Sequence, residues 1–217
     1  MVHETGKRVA QKQALQDRSR AMVDAILDGA LRAFMSVAGP VYAADKDDKS
    51  PSVNHIAEIA GVSIGSLYQY FPGKRAIVAA LVRRRTRQIH ERLFVVLEQA
   101  SDLSLEDAAA RFVDCMLQMK VTNSAVDEVI MREAIRYALT AEAFALDTEL
   151  VQRFAEALER FRPRVRADLD STIAAHVLFQ GLRAVMVVGA VARPELTHDP
   201  RMRREMEALI VRYLRPD

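Results

Sequence analysis

The sequence predicts an all-α protein, and three observations carry this prediction. Half of the 217 residues are hydrophobic, yet aromatic residues make up only 6% and Trp is absent. Ala, Val, Leu, Arg and Glu recur throughout, a composition that favours helices over strands. Apolar residues return at helical spacing in one segment after another, and no segment has a convincing strand pattern. We therefore expect about nine helices.

The N-terminal part contains one predicted helix between two polar stretches. Residues 1–16 lack sustained apolar periodicity and are predicted to form a flexible basic arm. From Asp17 to about Ala38, apolar residues fall at helical spacing and predict an amphipathic helix. The charged stretch from Gly39 to Pro51 is predicted to be an exposed loop, unusually long for a connection inside a helical domain.

Two short helices follow, separated by a glycine. Ser52 is the expected N-cap of the first, which runs through Ala60 and ends at Gly61. Ser63 is the expected N-cap of the second, which has about two turns and stops at Pro72. Two short helices joined by a tight turn that contains glycine form a helix-turn-helix, in which the second helix can enter the DNA major groove.

The rest of the chain is predicted to be helical by the same periodicity. A long helix begins near Lys74 and reaches about Ala100. Further helices, each bounded by a cap or a breaker, are predicted at 105–119, 126–139, 143–162, 171–191 and 199–214. We divide the chain into the arm, a helix-turn-helix domain of residues 17–82, and a larger helical domain of residues 83–217.

Charge is distributed unevenly, although the formal net charge is only +2. From Gly61 to His90 there are six basic residues and no acid, whereas Ser101 to Arg160 holds twelve acids and six bases. This asymmetry indicates a polyanionic partner for the N-terminal part only. The alternative is an ordinary fluctuation of surface charge along the chain.

The second short helix exposes side chains suited to DNA. Its outer surface is predicted to carry Ile64, Gly65, Ser66, Tyr68 and Gln69. The hydroxyls of Tyr68 and Tyr70 can bond phosphates or bases, Ser63 lies at a helix N-terminus that favours an anion, and Lys74 is the nearest cation. The alternative is a compact three-helix unit whose tyrosines only cover apolar surface.

The stretch VNHIAEIAGVSIGSLYQYFPGKRAIVAAL resembles the DNA-binding signature of the TetR/AcrR family of transcriptional regulators, and the match covers Ser52 to Leu81. The resemblance implies a homodimer on a palindromic operator, with the second helix in the major groove. It also implies a phosphate contact at Ser52, base or phosphate contacts at Ile64, Gly65, Ser66, Tyr68, Gln69 and Tyr70, and a phosphate contact at Lys74. The implied function is repression that a small-molecule effector releases. A helical ligand-binding dimer without operator binding, or an activator of the same fold, are the alternatives.

The resemblance further implies an effector pocket among the middle helices and a dimer interface on the last two. Candidate residues for a largely apolar effector are Phe112, Cys115, Met116, Met119, Glu133, Tyr137, His176, Gln180 and Arg183. Each of these has an alternative place in the core or in an interface. Candidate dimer residues are Phe179, Leu182, Met186, Met202, Met206, Leu209 and Tyr213, for which packing within one chain is the alternative.

Several protein classes are not supported by the sequence. Five histidines and one cysteine show no metal-ligand spacing, and there is no phosphate-binding glycine loop or nucleophile elbow, so we expect no enzyme, metal or cofactor. The single cysteine, Cys115, excludes an intramolecular disulfide. No secretory h-region is seen, and the longest uncharged apolar run, Ala184 to Ala192, is far shorter than a membrane span. A cytoplasmic protein is expected.

Overall fold

The computed structural model describes residues 2–36, 50–137, 147–192 and 199–216, together with Ala145 and Leu196. These residues form eight α-helices and two short 3₁₀ helices, and none of them belongs to a strand, which confirms the all-α prediction. The α-helices are α1 (Val2–Ser36), α2 (Val53–Ala60), α3 (Ile64–Tyr70), α4 (Lys74–Gln99), α5 (Leu105–Arg136), α6 (Thr148–Arg160), α7 (Ser171–Ala192) and α8 (Pro200–Leu214). The 3₁₀ helices are Ala100–Asp102 and Arg162–Arg164. The predicted loop at 39–51 and the start of the predicted helix at 143 fall largely outside the described residues. In the part of the chain that is described, every helix is too short or too polar to span a bilayer.

Helix α1 begins much earlier than expected, because residues 2–16, predicted to be a flexible arm, are helical. This segment is rich in Ala, Gln, Lys and Arg, which are good helix formers. The side-chain amide of Gln13 donates to the carboxylate of Asp17 at 3.2 Å, a surface pair one helical turn apart. Side chains from Gln13 to Arg18 are exposed. Exposed residues of a helix need no apolar stripe, and apolar periodicity therefore could not predict that Gln13 to Gln16 are helical.

Helix α5 joins two segments that were predicted to be separate helices, 105–119 and 126–139. It is continuous from Leu105 to Arg136. The intervening residues 120–124 are polar or β-branched and interrupt the apolar pattern, but residues 120–125 include no glycine or proline. Weak helix formers lower the propensity of a segment without breaking its backbone hydrogen bonds. The gap in the apolar pattern therefore does not mark the end of a helix.

The chain divides into two compact units. The first comprises Met1–Val82 and Glu128–Leu139, and the second comprises Arg83–Asp127 and Thr140–Asp217. In the first unit α1 packs against α2, and α2 packs against α3. Its large buried apolar side chains include Ile26, Leu27, Phe34, Ile56, Leu67, Phe71, Ile77, Val78 and Leu81.

The second unit has an apolar core drawn from α4 to α8. Phe112 of α5 and Phe154 of α6 stack at its centre, with ring centroids 5.0 Å apart. Around them lie Leu93, Leu97, Val113, Leu150, Leu158, Leu178, Leu182, Ile210 and Leu214. One apolar cavity of about 30 Å³ borders the two phenylalanine rings. That volume is far smaller than a pocket for a drug-sized ligand, so the space beside these two rings is nearly filled.

Candidate nucleic-acid interface

Helix α2 is closed at both ends by its own sequence. The hydroxyl of Ser52 accepts the N–H of His55 at 3.1 Å, which satisfies one of the free donors of the first turn. At the other end Gly61 takes φ +70°, a left-handed conformation that favours glycine. The N–H of Val62 then donates to the carbonyl of Ala57 at 3.0 Å. This Schellman-type ending turns the chain sharply towards α3.

Helix α3 is short and is held by its cap and two buried side chains. The Ser63 hydroxyl accepts the N–H of Ser66 at 3.0 Å and lies 2.8 Å from the Ser66 hydroxyl. Leu67 and Phe71 are buried on the inner side of the helix. A helix of seven residues is marginal by itself, so packing and capping must hold it in place.

The opposite side of α3 is exposed and carries no charge. Tyr68 is 53% exposed and Ile64 is 39% exposed, and Gly65 and Gln69 are exposed beside them. Ser66 and Tyr70 are half-buried on the flank. The structure thus brings the predicted DNA-facing residues of α3 onto one side of the helix, with two partly covered at its edge.

Gly65 has no packing role within the described residues. A Cβ placed there would meet only the Ser63 hydroxyl oxygen, at 4.0 Å. Glycine inside a helix costs roughly 1 kcal/mol relative to alanine, and here the fold gains no close contact in return. The helix keeps a bare strip of backbone at the centre of its exposed side.

The flanks of the motif carry the remaining predicted DNA contacts. Ser52 is exposed at the start of α2. Lys74, the first residue of α4, is half-buried, and its ammonium donates to the Ser50 hydroxyl at 3.4 Å. Beside it, Arg75 is exposed. Two cationic side chains therefore lie shortly after α3, whereas α3 itself has none.

Two residues of α1 that the sequence analysis did not select fix the position of α2. A Cβ on Gly29 would lie 2.5 Å from the Cβ and 2.6 Å from the Cα of Ala60, so the two backbones touch. Three residues further on, the Arg32 guanidinium donates to the carbonyl of Ile59 at 3.0 Å. That carbonyl lies in the last turn of α2, where intrahelical donors run out. A glycine inside an otherwise amphipathic helix was the one sequence signal of this contact.

The candidate effector residues lie in different surroundings. Phe112 and Met116 are buried in the core of the second unit, and Cys115 beside them is half-buried. Burial raises the pKa of the Cys115 thiol, an effect that Arg92 partly opposes. The side chain of Met119 lies outside the described residues. Glu133 and Tyr137 belong to the first unit, where buried Glu133 pairs with Arg132 at 3.1 Å.

The three polar candidate effector residues on α7 also lie in different surroundings. His176 is exposed and Gln180 is half-buried, whereas Arg183 reaches Asp147 at 2.8 Å. The second carboxylate oxygen of Asp147 lies 3.1 Å from Nε2 of His90, and both of these residues are buried. Burial lowers the pKa of the Arg183 guanidinium, and the negative charge of Asp147 opposes that shift. Asp147 and His90 were not among the predicted site residues, because they lie far from Arg183 along the chain.

Most candidate dimer residues face the protomer's own core. Phe179, Leu182, Met186 and Met206 are buried there, and Met202 and Tyr213 are half-buried. Only Leu209, with 49% of its surface accessible, is exposed. Among the described side chains of α7, the large apolar ones that are exposed are Ile173 and Val177, on the side away from Leu182, and Val185, at the edge of the buried face. Phe179, Leu182 and Met186 thus pack within the protomer, and a contribution of α7 to a dimer interface stays a prediction.

Comparisons with known proteins agree with this architecture. The family model for bacterial regulatory proteins of the tetR family matches residues 49–81, and the model for tetracyclin repressor-like C-terminal domains matches residues 104–214. Two Mycobacterium tuberculosis proteins called uncharacterized HTH-type transcriptional regulators are each 35% identical over 78 residues, which is 36% of this chain and 34% of each relative. The chain thus aligns with about a third of the length of these curated relatives.

Solved structures share the fold at low sequence identity. A TetR-family transcriptional regulator from Mesorhizobium loti superposes with a TM-score of 0.66 at 18% identity, over 90% of this chain and 96% of its own. SmeT, the repressor of the Stenotrophomonas maltophilia multidrug efflux pump SmeDEF, gives 0.62 at 22% identity, over 90% and 91%. A SmeT–triclosan complex gives 0.63 at 20%, over 91% and 93%. With one family model covering half of the chain and a second covering its helix-turn-helix, this protein belongs to the TetR family of bacterial regulatory proteins.

Proposed function

We propose that this protein is a sequence-specific transcriptional repressor that binds a palindromic operator as a homodimer and is released by a small-molecule effector. The observation that carries the proposal is the exposed, uncharged side of α3. It is held in place by the Ser63 cap and the buried Leu67, and it lies in a motif that the tetR family model matches. A side chain reads sequence only if a rigid scaffold holds it out to the base edges.

The flanking groups suit the phosphate backbone. Tyr68 carries an exposed hydroxyl, and Lys74 and Arg75 supply positive charge at the start of α4. Contacts to phosphate fix the register of the protein on the duplex, and they make its affinity fall as the salt concentration rises. We assign Ser52 and Ser63 chiefly to capping, because each hydroxyl already accepts a backbone N–H.

The exposed face of α7 supports the homodimer. Ile173 is 60% exposed and Val177 is 49% exposed, and Val185 lies further along the same helix. Gly181 and Ala184, also exposed, are small enough to admit a partner helix closely. Apolar residues grouped on one face indicate an interface. A second copy is the partner that a two-fold operator requires.

Two observations bear on how an effector would release the protein from its operator: its membership of the TetR family and the filled core of the second unit. SmeT is a repressor, and it forms a complex with triclosan. The cavity of about 30 Å³ beside Phe112 and Phe154 is far below the roughly 300 Å³ at which ligand pockets begin. An effector that enters the core beside these two rings would therefore stabilise another packing of this unit, and a ligand that prefers that packing shifts the population away from the operator-binding state.

Selection from a random duplex library with the purified protein tests operator binding. We expect an enriched palindrome, with binding that weakens steeply as salt is added. The double variant Tyr68→Ala, Lys74→Ala is expected to bind the selected duplex much more weakly, whereas Val95→Ala, on the exposed side of α4, binds like the wild type. Failure to enrich any duplex would refute the proposal.

Analytical ultracentrifugation tests the dimer. Val177→Glu places a charge in the proposed interface and is expected to give monomers, while Val95→Glu provides a matched control at 51% exposure on α4. A wild-type protein that sediments as a monomer would contradict the dimer. For release, any molecule that native mass spectrometry finds bound to the purified protein is titrated into the operator complex, which we expect to dissociate.

A further inference from the structure

The exposed side of α3 has a centre and two flanks. With 3.6 residues per turn, Gly65 and Gln69 lie one above the other, directly opposite the buried Leu67. Ile64 and Tyr68 occupy one flank, and the half-buried Ser66 and Tyr70 occupy the other. Gln69 is thus the one long polar side chain at the centre of this surface.

The side chains of α3 limit which bases this helix can recognise. Residues 64–70 include no Arg, Lys, Asp or Glu. Guanine is most often read in the major groove by Arg or Lys, and cytosine by Asp or Glu, so this helix lacks the usual reader of a G·C pair. A glutamine amide matches adenine, because it donates to N7 and accepts from the N6 amino group.

Ile64 also favours an A·T base pair. Its side chain is 39% exposed in the first turn of α3, although an apolar side chain gains nothing from water. The thymine methyl group is the apolar feature of the major groove, and contact with it removes both surfaces from water. The hydroxyls of Ser63 and Ser66 are 2.8 Å apart and hydrogen-bonded to each other. A serine hydroxyl can bond to an A·T or a G·C pair, so these two residues do not oppose the preference.

Gly65 allows this surface to come close to the bases. Its Cβ direction is open, with the nearest neighbour 4.0 Å away, so the backbone of the first turn can approach the floor of the groove. A closer helix lets the amide of Gln69, one turn later, reach the base edges. The nearest described cations, Lys74 and Arg75, lie at the start of α4 and suit the phosphates.

We propose that this protein reads A·T base pairs in each half-site, with Gln69 bonded to an adenine and Ile64 packed on a thymine methyl. This inference rests on the proposed function, since it names the bases that the operator-binding surface selects. Gln69 and Ile64 are the residues that determine specificity, whereas Tyr68 and Lys74 supply affinity.

Parallel selections from one random duplex library test the assignment. The wild type is expected to enrich an adenine at one position of each half-site. Gln69→Ala is expected to show no base preference at that position, which means that the preference for adenine falls by about 5- to 150-fold. Gln69→Arg is expected to enrich guanine at that position, because its guanidinium matches O6 and N7 of guanine. Ile64→Ala lowers the preference for thymine at a neighbouring position. Gln88→Ala, an exposed glutamine of α4, selects the wild-type sequence.

The outcomes separate this inference from the proposed function. If the wild type enriches a palindrome but Gln69→Ala changes a G·C position, or none, the adenine assignment is overturned and operator binding stands. If Gln69→Arg selects the same base as the wild type, the assignment is likewise overturned. If the wild type enriches no duplex, operator binding itself is refuted. Circular dichroism of each variant is expected to match the wild type, because both positions are on the surface.

Discussion

Substitution of Gly29 by alanine tests whether the contact between α1 and α2 sets the position of the DNA-binding motif. The added Cβ would lie 2.5 Å from the Cβ, 2.6 Å from the Cα and 2.7 Å from the backbone nitrogen of Ala60. Real Cβ atoms do not approach so closely, and no side-chain rotation can relieve a contact with backbone atoms. The two helices must therefore move apart, which also stretches the bond of 3.0 Å from Arg32 to the carbonyl of Ile59.

Two opposing terms determine the size of the effect. Overpacking a filled core costs typically about 1–3 kcal/mol. This contact belongs near the upper end of that range, because it involves three atoms of a residue that is fixed in α2. Alanine in place of glycine within a helix returns about 0.5–1 kcal/mol. We expect Gly29→Ala to lower the free energy of unfolding by about 1–2 kcal/mol.

Denaturant unfolding followed by circular dichroism measures this change, and Gly65→Ala is the matched control. The control makes the same substitution in a helix of the same unit, where the nearest neighbour of the new Cβ is the Ser63 hydroxyl oxygen at 4.0 Å. It is expected to gain stability of about 0.5–1 kcal/mol from helix propensity. A Gly29→Ala protein as stable as Gly65→Ala would refute the conclusion that the two backbones touch.

Three further predictions concern single side chains. Gly65→Ala, despite its greater stability, is expected to bind operator more weakly in a fluorescence anisotropy titration, since its methyl group holds the backbone of α3 away from the groove. Asp147→Ala removes the carboxylate that Arg183 and His90 contact, and it is expected to lower the free energy of unfolding by about 2–3 kcal/mol in denaturant unfolding. This is below the range of about 3–5 kcal/mol for a fully buried pair, because the Arg183 side chain is 19% exposed. A loss equal to that of Asp168→Ala, at the surface, would contradict this prediction. Hydrogen bonds from Arg162 lower the pKa of Glu159 from 4.5 to about 2, so this carboxylate stabilises the fold above pH 4.5 and loses that effect as the pH falls to about 2. Glu159→Gln is therefore expected to be less stable than the wild type at pH 7, with a difference that disappears near pH 2 in thermal unfolding.

The helix-turn-helix could be predicted from the sequence because its determinants are local. Ser52 and Ser63 cap helices within three residues of themselves, and Gly61 ends α2 through bonds within the same turn. Such interactions depend on short stretches of sequence, and the two observed helices begin and end within a residue of the predicted positions. The exposed side of α3 follows from the same periodicity.

Contacts between distant parts of the chain could not be predicted in this way. Arg183 was selected as a polar residue on an apolar helix, but its partners Asp147 and His90 lie 36 and 93 residues away. A helical pattern shows which face is apolar, and it does not show which helix will cover that face. For the same reason Phe179 and Leu182 were expected in a dimer interface, although they pack within the protomer. Ile173 and Val177, on the other face of the same helix, were left exposed.

Comparison of Gly29 with Gly65 shows how a functional surface can be distinguished from the fold that supports it. Both residues interrupt a helix at a cost in propensity, but the backbone of Ala60 fills the space beside Gly29, whereas the space beside Gly65 is open. The fold therefore requires the first glycine and does not require the second. Ile64 and Tyr68 are likewise more exposed than packing would favour. When a bare backbone, an exposed isoleucine and an exposed tyrosine share one side of a capped helix, their common explanation is a partner outside the chain, and in a TetR-family helix-turn-helix we infer that this partner is the major groove of DNA.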